Sequence, residues 1–427
     1  MTPVQLGILG CVLLLVLLAA SMPVAFCMAA VGLVGFALVV TPHAAASMMV
    51  ADLYETFSSY SLTVIPLFVF MGQIAFHAGI SRRLFRAANL WLGQFPGGLG
   101  MATIGACTGF GAICGSGPAT AATMAAVALP EMRRYGYDME LGCGAVTAGG
   151  SLGMLIPPSV VFIVYAIMTE QSIGKLFLAG IIPGVLIAFL FCLTIYINCR
   201  LRKHLAPQSE RVGWREKLGA LLGVAETLVL FTLVIGGMFL GFFSPTEAAA
   251  VGAFGSLVLA VVGRQLSWKA FRQAVRETVR TACMVMIIVA GAVVFGHFLA
   301  VTQIPMALAE ALTGLPLPPW AVIGILILFY LLAGCFVDAL ALILLTIPIV
   351  YPVVLELGYD PIWFGVIIVV VTQMGVISPP VGVNAYVVSG IERDVSLQTV
   401  FRGTLPFLGA LVVAAVLLVM FPGLSLF

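Results

Sequence analysis

Asp338 is the only acidic residue between Glu310 and Glu356, and its neighbours on both sides are apolar. A carboxylate in such a run is costly to bury, so a bound partner is expected of it, with a structural hydrogen bond as the plainer alternative. Asp338 closes the break Gly334-Cys335-Phe336-Val337-Asp338, one of four places where small and polar residues interrupt long apolar stretches. The others are Gly115-Ser116-Gly117-Pro118-Ala119-Thr120, Gly149-Gly150-Ser151-Leu152-Gly153 running into Pro157-Pro158-Ser159, and Thr372-Gln373-Met374-Gly375 running into Ser378-Pro379-Pro380-Val381-Gly382-Val383-Asn384. Non-helical main chain survives at bilayer depth only where it lines a cavity or binds something. Freed carbonyls, with the oxygens of Ser, Thr, Asp, Gln and Asn, suit a hard monovalent cation such as Na⁺. Helices starting at the proline pairs would present N–H groups and partial positive charge to a carboxylate. Proline kinks, and hydroxyls returning bonds to helix carbonyls, are the bland readings of the same residues.

An offset of 222 residues relates these breaks, carrying 116 onto 338 and 158 onto 380. It also carries Pro23, Pro96, Pro130, Pro157 and Pro158 onto Pro245, Pro318, Pro352, Pro379 and Pro380, and Gly136-Tyr137-Asp138 onto Gly358-Tyr359-Asp360. Chance gives roughly one proline match at a fixed offset, so the chain reads as an internal duplication. Paired interrupted spans are where membrane transporters place their binding sites.

The elements that must position these breaks are membrane spans. Hydrophobic residues make up 62% of 427 positions and charged residues 8%, and the mean hydropathy is +1.19. That excludes a soluble domain and indicates an all-α polytopic membrane protein. The first segment, Val4 to Ala20, lacks a positive leader and reads as a retained span rather than a signal peptide. Runs of spanning length fall near 4–20, 23–40, 61–78, 139–168, 176–199, 220–243, 246–263, 281–299, 361–390 and 403–421. Two further apolar regions, about 97–133 and 317–356, each carry a central break and are expected to be re-entrant helical hairpins.

Charge placement sets the topology. With the N-terminus outside, 18 of the 19 Lys and Arg residues fall inside, and only Lys175 lies outside. The expected organisation is a first repeat (1–203) with its hairpin and the broken helix 139–168. A basic cytoplasmic linker (204–225) and a second repeat (226–427) with its hairpin and the broken helix 361–390 follow. Five spans plus a hairpin per copy invert the second copy relative to the first. Leu266 to Arg280 and Ile80 to Gln94 read as amphipathic flanks on the anionic inner leaflet. Ser244-Pro245-Thr246-Glu247 reads as a capping box. The nine cysteines read as small buried hydrophobes, and the four dispersed histidines argue against a metal centre.

The segments GSGPATAATMAAVALPEMRRYGYD (115–138), LGMLIPPS (152–159), DALALILLTIPIVYP (338–352) and SPPVGVN (378–384) resemble the large membrane subunit of tripartite ATP-independent periplasmic (TRAP) transporters, and the resemblance covers essentially the whole chain. It implies an elevator-type, Na⁺-coupled importer of organic acids such as C4-dicarboxylates or sialic acids in the bacterial inner membrane. It also implies a small four-helix membrane subunit, expected here as a separate chain, and a periplasmic substrate-binding protein. By motif match, Ser116, Gly117, Thr120, Gly150, Ser151, Gly153 and Pro157 would serve one Na⁺ site. Asp338, Thr372, Gln373, Gly375, Pro379 and Asn384 would serve the other. Substrate would lie between them, against Ser151, Pro158, Ser159, Gln373, Pro380 and Asn384. Gly117-Pro118 departs from a second Ser often found at the first tip, which bears on the ligands of that site.

Other classes fit less well. There is no His-Glu-x-x-His motif and no His partner at matching depth for Ser116, against an intramembrane hydrolase. One intramembrane Asp and scattered hydroxyls make a poor pore lining, against a passive channel. Proton coupling is the alternative to Na⁺. No Gly-rich phosphate loop ending in Lys is present, so ATP has no expected role, and neither a cofactor nor a nucleic-acid partner is expected.

Overall fold

The computed structural model describes residues 2–207, 213–314 and 316–426, so residues 208–212 of the expected linker, Arg211 among them, lie outside the described residues. All regular structure among the described residues is helical. In chain order the helices are α1 (Pro3–Ala19), α2 (Val24–Val39), α3 (Pro42–Ser58), α4 (Val64–His77), α5 (Ile80–Leu92), α6 (Gly98–Cys114), α7 (Gly117–Arg134), α8 (Met139–Ser151), α9 (Val160–Met168) and α10 (Ile173–Leu201). There follow α11 (Trp214–Leu222), α12 (Ala225–Phe239), α13 (Pro245–Val262), α14 (Trp268–Thr302), α15 (Ile304–Thr313), α16 (Pro319–Gly334), α17 (Ala339–Glu356), α18 (Pro361–Ile377), α19 (Val383–Ile391) and α20 (Leu397–Met420).

Local chemistry sets many of these boundaries. Ser244 and Glu247 form the expected capping box, with Pro245 in the first turn of α13. The repeated Gly-Tyr-Asp tripeptide makes the same joint twice. Gly136 and Gly358 adopt left-handed φ of 72° and 77°, which costs a residue without a Cβ nothing. Two residues on, the carboxylates of Asp138 and Asp360 accept the first free N–H groups of α8 and α18.

Helices pack in two groups. In one, α14 runs along α2, α3 and α4, and α13 lies on α4 and α12. In the other, α8 is held between α6, α7 and α20, while α18 packs on α16 and α20. The groups meet where α4 touches α6 and α9 and where α14 touches α17. Residues Trp363–Ile377 of α18 are all buried, whereas Leu15 (61% exposed) and Val262 (77% exposed) on the first group face outward. An outward apolar surface of this kind is stable only in lipid, so the protein is a multi-pass membrane protein. Among the described residues, five helices are long and apolar enough to cross a bilayer, six if the bent α3–α4 pair counts as one span, and further apolar helices of 10–17 residues accompany them.

One feature differs from the sequence reading. Leu266 to Arg280 is not a separate flank: it continues into the next span as the 35-residue α14, since no Gly or Pro interrupts the chain at Arg280-Thr281. Under the 222-residue offset, the equivalent first-copy segment breaks at Ser59-Tyr60, giving the 55° bend between α3 and α4. Two histidine–carboxylate pairs tie α14 to this bent arm: His297 to Asp52 at 2.8 Å and His77 to Glu277 at 3.3 Å.

Candidate substrate cavity between two helix tips

Helices α6 and α7 meet at Gly115-Ser116, and α16 and α17 meet at Cys335 to Asp338. Gly115 turns at φ +65°, and a Cβ there would lie 2.5 Å from the Pro158 carbonyl oxygen, so only glycine lets the tip sit against the first proline pair. Each tip is stitched to the segment following a proline pair. Val160 N donates to Gly115 O at 3.2 Å, and Val381 N donates to Cys335 O at 3.1 Å. Both Pro-Pro peptide bonds are cis.

Between the tips lies a cavity of about 420 Å³. Gly117, Val160, Ala339 and Val383, the first residues of α7, α9, α17 and α19, all line it. Four helix N-termini thus converge on one space, each carrying roughly half a positive charge. Ser116 and Asp338 line it as well, and Asp338 is its one charged residue among the described residues. Its far wall comes from the first helix group: Gln73 on α4, and Thr281, Met284 and Val285 on α14.

The two tips differ in how their polar atoms are employed. Ser116 precedes α7 without a side-chain capping bond. Its carbonyl accepts from Thr120 Oγ1 at 2.8 Å, and a Cβ on Gly153 would lie 2.8 Å from that carbonyl and 2.6 Å from that hydroxyl. Gly150 similarly admits α7, since its Cβ would meet Ala121 at 2.5 Å. Ser116, Gly117, Thr120, Gly150 and Gly153 are therefore brought together, with two oxygens and main chain at contact range. At the second tip the Asp338 carboxylate caps α17, accepting from Leu340 N at 3.1 Å. Gly375 lets the tip close on α18, because a Cβ there would lie 2.6 Å from the Gly334 Cα.

Other residues singled out in the sequence do not reach the cavity. Ser151 Oγ donates to Ala148 O at 2.7 Å, Thr372 Oγ1 donates to Val369 O at 2.9 Å, and Ser159 Oγ donates to Met154 O, all within the protein core. Gln373 is fully buried with neither amide atom hydrogen-bonded. Asn384 donates to Thr147 O at 3.3 Å while its Oδ1 has no partner. Pro157 and Pro158 are buried, but Pro379 and Pro380 are exposed, an inequality the matching sequences give no hint of.

Gln73 and Thr281 are the polar cavity residues that sequence reasoning missed. Gln73 carried a usable signal, as a lone amide in the apolar α4, with its Oε1 buried and unpartnered. Thr281 follows Arg280 at the end of a charged run and carried none.

A wholly helical, lipid-facing bundle with a solute-sized cavity at its helix breaks defines a multi-pass membrane permease. Residues 11–424 match the family described as tripartite ATP-independent periplasmic transporter, DctM component, and the chain belongs to that family. It is 38% identical to the C4-dicarboxylate TRAP transporter large permease protein DctM of Pseudomonas aeruginosa, over 91% of this chain and 90% of that one. It is 34% identical to the sialic acid TRAP transporter large permease protein SiaM of Vibrio cholerae, over 96% and 95%. The isethionate TRAP transporter permease protein DctMQ of Oleidesulfovibrio alaskensis is 34% identical over 93% of this chain, which spans 63% of that longer protein. The YdaH transporter of Alcanivorax borkumensis shares the fold, with a TM-score of 0.65 at 15% identity over 100% of this chain and 99% of that one.

Proposed function

We propose that the protein is the large permease subunit of a Na⁺-coupled importer of an organic anion, delivered by a periplasmic binding protein. The observation that carries this reading is the cavity itself: four helix N-termini and one carboxylate face it, and no Lys, Arg or His does among the described residues. Helix starts suit an anion. A single carboxylate beside them, at the start of α17, suits a cation, and a bound cation also offsets the negative charge of the solute. Na⁺ at the Ser116–Thr120–Gly153 cluster, and at Asp338 with the Gly334 tip beside Thr372 and Gly375, fits the hard-oxygen donors present. Gln373 and Asn384 belong to the second site through the polar atoms they leave unpaired.

The same reading takes 1–203 and 226–427 as inverted repeats around the linker, with the N-terminus periplasmic and the chain in the bacterial inner membrane. Matching joints at Gly136–Asp138 and Gly358–Asp360 support the duplication. The unequal exposure of the two proline pairs supports an elevator. A unit that slides along a fixed scaffold covers one break and uncovers the other in each end state. The first helix group is the scaffold, and the group holding both tips is the moving unit. A small four-helix membrane subunit completes the permease, as a separate chain; the fused DctMQ relative shows that the two parts can also share one chain in this family.

Uptake into proteoliposomes containing both membrane subunits tests the proposal. Accumulation is expected only with an inward Na⁺ gradient and with the binding protein supplied. Equal uptake without the gradient would remove the coupling, and uptake without the binding protein would remove the tripartite route.

A further inference from the structure

From the composition of the cavity wall, and resting on the organic-anion reading above, we infer that this permease takes a monocarboxylate with a predominantly apolar body. The polar groups are concentrated at the tips, where Ser116, Asp338 and the four helix starts meet. The rest of the wall is largely apolar and includes Val69, Met154, Val161, Leu340, and Met284 with Val285 on α14. Gln73 and Thr281 are the two neutral polar side chains contributed by the scaffold. One carboxylate is therefore accommodated at the helix starts, with the accompanying cation. A second carboxylate or a polyhydroxylated chain would be pressed against aliphatic surface with few hydrogen-bond partners, which is unfavourable for each buried polar group. An aliphatic or ring body there instead gains from apolar burial. The volume of about 420 Å³ suits a small acid of this kind. Of the two methionines in the wall, Met154 is buried, whereas Met284 on the one-piece α14 is unbranched and 54% exposed and so the more adaptable.

Thermal stabilisation of the full chain with its small membrane subunit, in detergent, tests this. Hexanoate, cyclohexanecarboxylate, succinate and N-acetylneuraminate are titrated in NaCl and in choline chloride. The two monocarboxylates are expected to stabilise in NaCl at concentrations roughly tenfold below succinate, and Met284→Gln is expected to narrow that gap. Succinate or N-acetylneuraminate acting at equal or lower concentration would overturn the substrate class. Na⁺-dependence of the effective acid would then leave the coupled-transport reading standing. Stabilisation by monocarboxylates that is identical in choline chloride would support the substrate class and remove the coupling. No stabilisation by any of the four would overturn both.

Discussion

Ser116 and Asp338 occupy equivalent positions under the 222-residue offset and both precede a helix, yet their chemistry differs. Asp338 brings a formal charge to the cavity and also caps α17 through Leu340 N, whereas the Ser116 side chain makes no capping bond. Removing the Asp338 charge while keeping its shape therefore separates its two roles. Asp338→Asn retains an oxygen to cap the helix and loses the electrostatic attraction for a cation. Its apparent Na⁺ affinity is expected to fall about tenfold, roughly 1.4 kcal/mol, with expression unchanged, as read by Na⁺ titration of uptake. An unaltered Na⁺ dependence would remove Asp338 from the ion site. Asp338 was legible in the sequence because a lone charge in an apolar run stands out at once. Gln73 was less so, since it becomes meaningful only when α4 is laid against the tips. The roles of Ser151, Ser159 and Thr372 were obscured for the opposite reason. A hydroxyl in a helical or turning segment can satisfy itself on a nearby carbonyl, and these three do.

At the scale of elements, most helices could be read directly, because apolar runs bounded by Pro, Gly and capping side chains leave few choices of boundary. The exceptions follow from context. Helix α3 carries Asp52 and Glu55 and is too polar to read as a span, and α14 joins an amphipathic flank to a span that hydropathy alone separates. Two clasps join the halves of the chain and occupy related places. Near the end of α7, Arg133 pairs with Asp394 at 2.9 Å and with Glu392. On α17, the Tyr351 hydroxyl donates to Thr169 O at 3.3 Å and accepts from Gln171 Nε2 at 3.1 Å. The first is ionic and exposed, so water and salt weaken it. The second is part-buried and neutral, and Tyr351→Phe removes two of its hydrogen bonds while Gln171 Nε2 still donates to Thr169 O at 3.3 Å, at a cost of about 0.5–1.5 kcal/mol. Melting temperatures in detergent are expected to fall more for Tyr351→Phe than for Arg133→Ala, and high salt is expected to erase only the latter effect. The reverse order would show that the ionic clasp dominates.

For the whole molecule, the distribution of charge is the simplest guide. The apolar exterior faces lipid, and the interior cavity holds a single carboxylate with four helix starts directed at it among the described residues. In such a space an organic anion has no cationic side chain to meet, so under the proposed coupling its binding would depend on cations that enter with it, and each ligand would strengthen the other by the same factor. The 222-residue offset between the two proline pairs was visible in the sequence. The unequal burial of Pro157-Pro158 and Pro379-Pro380 was not, because burial is set by which other helices cover each pair rather than by the pair itself. The affinity of the purified permease for its acid, measured across a series of Na⁺ concentrations at constant ionic strength, tests the account most directly. A logarithmic plot of dissociation constant against Na⁺ is predicted to fall with a slope of about one or steeper; a flat line would contradict it.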